Sequence, residues 1–316
     1  MSVKIHMMDV GDADAIIVQL ERFSEKLVLL IDGGKNSEHA DKIIEYFGKL
    51  QILPDILICT HLDKDHIGGL GRVLEQFHKN VKSIWVHIPT KHDDLFKTKL
   101  MAKIVDKKAF GRADERLELI FASVHDLENF VQVADKLGLK ISEPFSDTTD
   151  QQVISICKKW GIEILGPSLS FYDSLVPLFR EAYAPKAIYE SALIKAAANP
   201  CLALGQEGYD TPENESSLIF SISDNTRNYL FTGDAGLQAF NKIEDKLKKL
   251  YLLKIPHHGS KKNLNQGIIE KISPQKCLIS ASGKQGHPDS NLIECLRRHG
   301  AEEILSTSGH GNLTLD

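Results

Sequence analysis

Three apolar segments of this chain end abruptly in short turns that are rich in aspartate, histidine and glycine. Residues 55–59 lead into THLDKDHIGG at 60–69, residues 229–231 lead into TGDAG at 232–236, and residues 252–255 lead into PHHGS at 256–260. Binding sites in layered α/β proteins gather where strands give way to loops, because the strands fix the positions of loops that carry polar groups. We therefore expect the three turns to meet at one site.

The first of these turns presents four side chains suited to metal binding. In extended geometry His61 and Asp63 point the same way, whereas the adjacent Asp65 and His66 diverge toward a second point. Such residues also occur as caps at helix starts, which is the ordinary alternative. However, two acids and two imidazoles within six residues are costly to crowd together without a cation. The turn therefore predicts two ligands for each of two metal ions.

The other two turns are expected to complete this cage. They offer Asp234 and one of the histidines at 257–258. The glycines beside each turn are interpreted as positions where the backbone bends tightly next to an ion.

Composition limits the class of protein. The chain has 316 residues, of which 42% are hydrophobic and 26% charged, as in ordinary globular proteins. A net charge of −5 excludes a strongly basic protein that coats nucleic acid. No apolar stretch reaches the roughly 18 residues that span a bilayer, so we expect no membrane association and a cytoplasmic location. The five cysteines are scattered and odd in number, which favours reduced thiols.

The hydrophobic periodicity predicts alternating strands and helices. Strands are expected at 15–20, 26–31, 55–59, 81–86, 162–165, 217–222, 228–232, 252–256 and 276–280, and helices at 37–50, 70–78 and 124–137. A helical pattern at 171–198 is broken by Pro177 and Pro185. We interpret residues 1–316 as a single domain with insertions at about 91–155 and 168–210.

In sequence and in order, these motifs resemble those of the metallo-β-lactamase superfamily, and within it those of the metallo-hydrolase domain of ComEC-like DNA-uptake proteins. The stretches that carry the resemblance are DVGDADA at 9–15, LIDGG at 30–34, THLDKDHIGGL at 60–70, ENESSLI at 213–219, LFTGD at 230–234, LKIPHHGS at 253–260 and GHP at 286–288. The resemblance implies an α/β fold, a four-layer αβ/βα sandwich with helical insertions and a binuclear metal site along one sheet edge.

The resemblance also implies a role for each matching residue. His61 and Asp63 would hold the first metal, Asp65 and His66 would hold the second, and Asp234 would bridge both.

Further roles and two departures follow from the same comparison. His258 would complete the second site, with His257 as the alternative, and Asp32 matches an aspartate that orients ligands without binding metal. Asp63 stands where the wider superfamily has a histidine, and residues 214–217 replace its separate mid-chain histidine. A site richer in carboxylates shifts preference from Zn²⁺ toward Mn²⁺, so two divalent ions of either metal are expected.

Such a centre predicts a metal-dependent hydrolase, most simply a phosphodiesterase or nuclease that cleaves DNA with metal-activated water. The residues expected to take part in catalysis are Asp65, Asp234 and His287; His287 would bind phosphate or protonate the leaving oxygen, unless it is only a turn residue before Pro288. Two alternatives stay open. One is a hydrolase of small phosphoesters, cyclic nucleotides or lactones, and the other is a metal-binding regulatory or scaffold subunit with little activity.

Possible partners are indicated by charge and by the insertions. Residues 242–262 contain seven lysines and only two acids, which predicts a basic rim for DNA beside the metal site or, alternatively, a solvated helix face. The two insertions are candidate docking surfaces for a protein partner.

Overall fold

The computed structural model describes residues 1–109, 115–179, 199–206, 208–284 and 286–316. The expected helix break at Pro185 lies outside these residues.

The strands of the described residues form two mixed sheets. In chain order they are β1 Ser2–Met7, β2 Ile16–Arg22, β3 Glu25–Ile31, β4 Ile56–Ile58, β5 Ser83–Trp85, β6 Ile141–Ser142, β7 Ile162–Gly166, β8 Ile219–Ser223, β9 Asn228–Phe231, β10 Leu252–Lys254, β11 Lys276–Ile279, β12 Glu303–Ser306 and β13 Leu313–Leu315. The first sheet has the order β13-β1-β2-β3-β4-β5-β6, and the second has the order β12-β11-β10-β9-β8-β7. Each predicted strand corresponds to one of these, with ends that differ by at most two residues.

The helices lie between the strands along the chain. They are α1 Ser37–Leu50, α2 Lys64–Ile67, α3 Leu70–Phe77, α4 Phe96–Ala109, α5 Glu115–Lys136, α6 Gln151–Trp160, α7 Leu169–Leu175, α8 Pro212–Glu215, α9 Leu237–Lys242, α10 Gln266–Ile272, α11 Ser290–Arg298 and α12 Thr307–His310. Short 3₁₀ segments add Pro89–Lys91, Val176–Leu178, Pro200–Ala203, Glu244–Lys246 and His257–Gly259.

The longest correctly bounded helix, α1, shows how local sequence fixes these elements. The side chain of Asn36 accepts a hydrogen bond from His39 N and caps the start of the helix. Ala40, Ile43 and Phe47 form its buried face. The helix ends where Gln51 takes a left-handed conformation, with φ at 54°. The predicted bounds, 37–50, are confirmed.

Three apolar clusters give the sandwich its layers. One combines residues of both sheets, such as Val18 on β2 and Phe220 on β8, and fills the space between them. A second packs α1, α3 and α5 on the outer face of the first sheet, and a third packs α9, α10 and α11 on the outer face of the second. Because successive side chains of a strand point to opposite faces of its sheet, each strand contributes both to the cluster between the sheets and to the cluster under the outer helices. The expected four-layer αβ/βα fold is confirmed.

The cysteine prediction is wrong for two of the five residues. Cys201 and Cys295 form a disulfide across a sequence separation of 94, whereas Cys59, Cys157 and Cys277 are free. Sequence spacing alone does not reveal this pairing, because it joins Pro200–Ala203 to α11 only through the tertiary packing. The cysteine pattern therefore gives no support for a cytoplasmic location.

The chain within 91–155 supplies helices and an edge strand. It contains α4 and α5, and β6 extends the first sheet beside β5.

No helix in the described part of the chain is both long enough and apolar enough to cross a lipid bilayer.

Candidate metal centre

The three turns named above come together at the ends of β4, β9 and β10. One ligand atom from each of Asp65, His66, Asp234 and His258 lies within 4.8 Å of the other three. His258 Nε2 is 3.3 Å from Asp65 Oδ2, and His66 Nε2 is 3.4 Å from Asp234 Oδ2. The structure thus gathers, from three distant parts of the sequence, a set of imidazole and carboxylate groups of the kind that binds zinc or manganese.

The ring of His66 is held by Asp32. His66 Nδ1 lies 2.8 Å from Asp32 Oδ2, and Asp32 also accepts hydrogen bonds of 2.8 Å from both the backbone N–H and the hydroxyl of Thr60. Because Nδ1 faces a carboxylate, Nε2 is left to face Asp65 and Asp234. Asp32 occupies the orienting position that the resemblance implies for it.

The backbone of His258 is turned sharply to present its ring. His258 Nδ1 donates a 2.8 Å hydrogen bond to the carbonyl of Ser280, which leaves Nε2 for the cluster. His257 and His258 have φ values of 46° and 54°, and Asp32 has 61°. Left-handed conformations at non-glycine residues are uncommon and concentrate at functional sites.

His61 and Asp63 form a looser pair beside this cluster. The rings of His61 and His66 are 4.1 Å apart, and His61 Nε2 is 3.8 Å from Asp63 Oδ2. Within the described residues, no group of three ligand atoms at the same close spacing includes this pair. The centre is therefore asymmetric, with four ligand atoms gathered on the Asp65–His66 side and two on the other.

The side chain of Asp63 does not act as a helix cap. It directly precedes α2, where an N-cap residue belongs, but its side chain makes no capping hydrogen bond. It lines the cavity instead.

The charges and polar atoms of the cluster fit a divalent cation. Nε2 of His61 and Nε2 of His66 are buried without a hydrogen-bond partner, although buried polar atoms normally have one. Burial, together with the charge of His66, lowers the pKa of His61 to about 3, so its ring is neutral as a ligand must be. Partial burial and the charge of Asp65 raise the pKa of Asp63 to about 7. A cation between these groups would relieve the repulsion between the two carboxylates.

The two glycines at the end of the first turn are not positions where the backbone bends tightly next to an ion, so that interpretation is wrong for them. Gly68 and Gly69 have ordinary negative φ values of −58° and −98°. A Cβ on Gly68 would lie 2.1 Å from the carbonyl oxygen of Lys35, and one on Gly69 would lie 2.1 Å from that of Gly33. These glycines are needed because two backbone segments pack directly against each other, and not because the chain bends beside an ion.

A cavity of about 310 Å³ opens in front of the cluster. Its lining includes Asp63, Asp65 and His258, and two lysines, Lys35 and Lys64, lie at the same cavity. Within the described residues neither lysine side chain makes an ion pair, although the charge of Lys64 acts on Asp126.

The expected basic rim at 242–262 is wrong for one of its lysines. Lys254 is only 2% exposed and pairs with Asp14 and Asp234 inside the protein. Lys246 and Lys248 line a separate groove with Glu163.

His257 and His287 lie at the cavity outside the four-residue cluster. His257 Nδ1 is 2.7 Å from Asp210 Oδ2, and the rings of His257 and His287 are 6.2 Å apart. Burial lowers the pKa of His257, but the hydrogen bond to Asp210 and the charge of Asp234 outweigh it and raise this pKa to about 9. Of the two adjacent histidines, the structure therefore brings His258 into the cluster and directs His257 toward Asp210.

Three residues next to the candidate centre are not predicted from the sequence. Asp14 and Lys254 form a buried pair beneath it, and Asp210 binds His257. One signal was present for Lys254: a lysine inside the apolar strand LLKIP requires a buried partner, because unpaired charges are excluded from sheet interiors.

Residues 8–134 match the family model described as the metallo-beta-lactamase superfamily. The chain contains a metallo-beta-lactamase superfamily domain. The matched stretch holds β4 and the first turn with Asp65 and His66, whereas Asp234 and His258 of the cluster lie outside it.

Two curated proteins are similar to part of this chain. They are ComE operon protein 3 of Bacillus subtilis, 27% identical over 105 residues, and Recombination protein 2 of Haemophilus influenzae, 29% identical over 101 residues. The matches cover 32% and 31% of this chain but only 13% of the length of each relative. Both support the expected ComEC-like type of the domain.

Among solved structures, the metallo-beta-lactamase fold protein YhfI from Bacillus subtilis aligns with a TM-score of 0.47 and 11% identity, covering 99% of each chain.

Proposed function

We propose that this chain is a metal-dependent phosphodiesterase whose substrate is DNA. The observation that carries the proposal is the cluster of Asp65, His66, Asp234 and His258, with both imidazoles presenting Nε2, beside an open cavity that Asp65 and His258 line. Divalent ions bound there would supply an activated water and positive charge for the developing charge on phosphoryl oxygens.

The side chains around the cavity support an anionic substrate. Lys35 and Lys64 form no ion pair with a described side chain, and they line the same cavity as Asp65 and His257. Cations placed beside phosphates supply most of the sequence-independent affinity for nucleic acid. A lactone has no charge for these lysines to bind, so they favour the phosphoester among the substrate classes of this superfamily.

His257 and His287 supply polar groups on the open side of the cavity. Asp210 fixes the ring of His257 through Nδ1, which leaves Nε2 to contact the substrate or its leaving oxygen. No serine or cysteine nucleophile is required.

DNA is favoured over other phosphodiesters by the name of one relative, Recombination protein 2, which is 29% identical to this chain over 101 residues. The net charge of −5 agrees with a substrate that is bound locally at the cavity and not over the whole surface.

The proposal is tested by incubating the protein with plasmid, linear duplex, single-stranded DNA and RNA in Mn²⁺ or Zn²⁺, beside bis-p-nitrophenyl phosphate. We expect cleavage of DNA and of the generic diester, and loss of both in Asp65→Ala. Cleavage of the generic diester or of a cyclic nucleotide without DNA cleavage would favour the small-molecule hydrolase. Bound metal with no turnover of any of these would favour the regulatory or scaffold subunit.

The lysines provide a matched comparison. Substituting Lys35 and Lys64 with glutamine should lower kcat/KM for DNA and leave the metal affinity unchanged. The same change at Lys248 and Lys249, which belong to the rim expected from sequence but do not line the cavity, should have little effect.

A further inference from the structure

Lys254 is a buried cation directly beneath the proposed metal centre. It stands on β10 of the second sheet, and its ammonium contacts the carboxylate of Asp14, which precedes β2 of the first sheet. Both side chains are at most 2% exposed. The pair therefore connects the two sheets through the interior, at the point where the metal-binding turns begin.

The same ammonium also contacts the segment that carries a proposed ligand. Lys254 Nζ donates a 2.8 Å hydrogen bond to the carbonyl of Gly233 and lies 3.4 Å from Asp234 Oδ1. The backbone N–H of His257 donates to that oxygen as well, at 3.2 Å.

As a result, the two oxygens of Asp234 face different partners. Oδ1 is occupied by Lys254 and His257, while Oδ2 is directed at His66 Nε2. A carboxylate without these donors would be free to rotate about its last bond, so the donors determine which oxygen reaches the ligand cluster.

Asp14 is placed to hold Lys254 in this position. Its backbone N–H donates to the carbonyl of Asp65 at 3.2 Å, and its carbonyl accepts from Gly34 N at 2.8 Å. Asp14 is thus fixed by the two loops that also carry Asp65 and the orienting Asp32.

An ion pair that only joined the sheets would not need to contact a ligand. Removing two charges from water costs several kcal/mol, and well-packed apolar residues often stabilise a core as well or better. The contact of Lys254 with Asp234 gives the buried charge a second role that an apolar pair does not provide.

We propose that Lys254, held by Asp14, is a positioning residue of the metal centre that fixes Asp234 so that Oδ2 is presented to the metal. This inference rests on the metal centre of the proposed function. Partners that orient metal ligands typically change metal affinity about 10–100-fold when removed.

The test uses the double variant Lys254→Met/Asp14→Asn, which removes both charges of the buried pair together and does not leave Asp14 as a lone anion. Folding is measured by circular dichroism and thermal unfolding of the metal-free protein, and Kd for Zn²⁺ and Mn²⁺ by calorimetric titration. The control is Lys159→Met/Glu25→Gln, which removes an exposed pair between β3 and α6. We expect the buried-pair variant to fold and to bind metal about 10–100-fold more weakly, and the control to bind like the unmodified protein.

Other outcomes separate the two proposals. A folded buried-pair variant with unchanged Kd overturns the positioning role alone, provided that Asp65→Ala has lost metal. If the unmodified protein binds no metal, or Asp65→Ala binds it equally well, the metal centre fails and the positioning role fails with it. If the double variant does not fold, Lys254→Gln replaces it, because the glutamine amide retains a donor for the Gly233 carbonyl. The Kd of Lys254→Gln for Zn²⁺ and Mn²⁺ is then compared with that of the unmodified protein, and an unchanged Kd overturns the positioning role.

Discussion

His66 Nδ1 lies within hydrogen-bond distance, 2.8 Å, of Asp32 Oδ2, although the two residues are 34 positions apart in the chain. Asp32 stands at the end of β3 and His66 in α2, after the neighbouring parallel strand β4. The ends of two adjacent strands thus supply a proposed ligand and the group that orients it.

Substituting Asp32 tests this orientation. An asparagine in its place would keep the left-handed backbone, which asparagine tolerates, but would put an amide where His66 and Thr60 now meet a carboxylate. We expect Asp32→Asn to weaken metal binding about tenfold or more, measured as Kd by calorimetric titration. The control is Asp41→Asn, at an exposed ion pair with Arg72. Equal values of Kd for Asp32→Asn and the unmodified protein would remove the orienting role.

Glycine substitutions test the close packing behind the first metal-binding turn. A Cβ on Gly68 would meet the Lys35 carbonyl at 2.1 Å, whereas a Cβ on Gly71 in α3 has nothing within 4 Å. We expect Gly68→Ala to lower the free energy of unfolding by at least about 1–3 kcal/mol, and Gly71→Ala to raise it by about 0.5–1 kcal/mol. Urea denaturation monitored by circular dichroism measures both. Similar effects of the two substitutions would show that the approach of these backbones is not required.

The pKa of His87 predicts a loss of stability in acid. Its ring is fully buried against Phe145, with ring centroids 4.4 Å apart, and Nε2 donates to the Pro144 carbonyl. Burial lowers the pKa of His87 from 6.5 to about 4, so between these values the unfolded chain takes up a proton that the folded protein does not. This residue's contribution to stability is complete above pH 6.5 and declines as the pH falls toward 4.

The corresponding measurement is the free energy of unfolding at about pH 7 and about pH 4.5. His87→Gln retains a donor for Pro144 but does not titrate. Between the two pH values we expect the unmodified protein to lose about 2 kcal/mol more than the variant does. Parallel pH profiles for the two proteins would mean that His87 titrates normally in the fold.

Much of the fold and the cluster was accessible from sequence because the relevant signals are local. The apolar run at 55–59 and the polar turn after it predict a strand end and its ligands without reference to any other part of the chain. The bounds of α1 follow from its own cap and periodicity. Strand ends brought to one edge of a layered fold then predict that distant turns meet.

The remaining features depend on contacts between distant segments. The disulfide of Cys201 with Cys295 and the ion pair of Lys254 with Asp14 each join segments that local patterns describe correctly but do not bring together. The lysine run at 242–262 predicts one surface, yet strand geometry buries Lys254, whereas Lys246, Lys248 and Lys249 are exposed. The need for Gly68 comes from a second backbone segment, which the turn sequence alone does not reveal.

The adjacent histidines 257 and 258 allow the most direct test of the centre. Both have left-handed backbones, so asparagine is a suitable substitute at each position. His258 Nε2 faces Asp65, whereas His257 binds Asp210 through Nδ1. The measurement is the amount of Zn or Mn retained by purified protein after equilibration and desalting, for the unmodified chain and for His257→Asn and His258→Asn. We predict that the unmodified chain and His257→Asn retain metal and that His258→Asn loses it; equal metal in all three proteins would contradict the proposed centre.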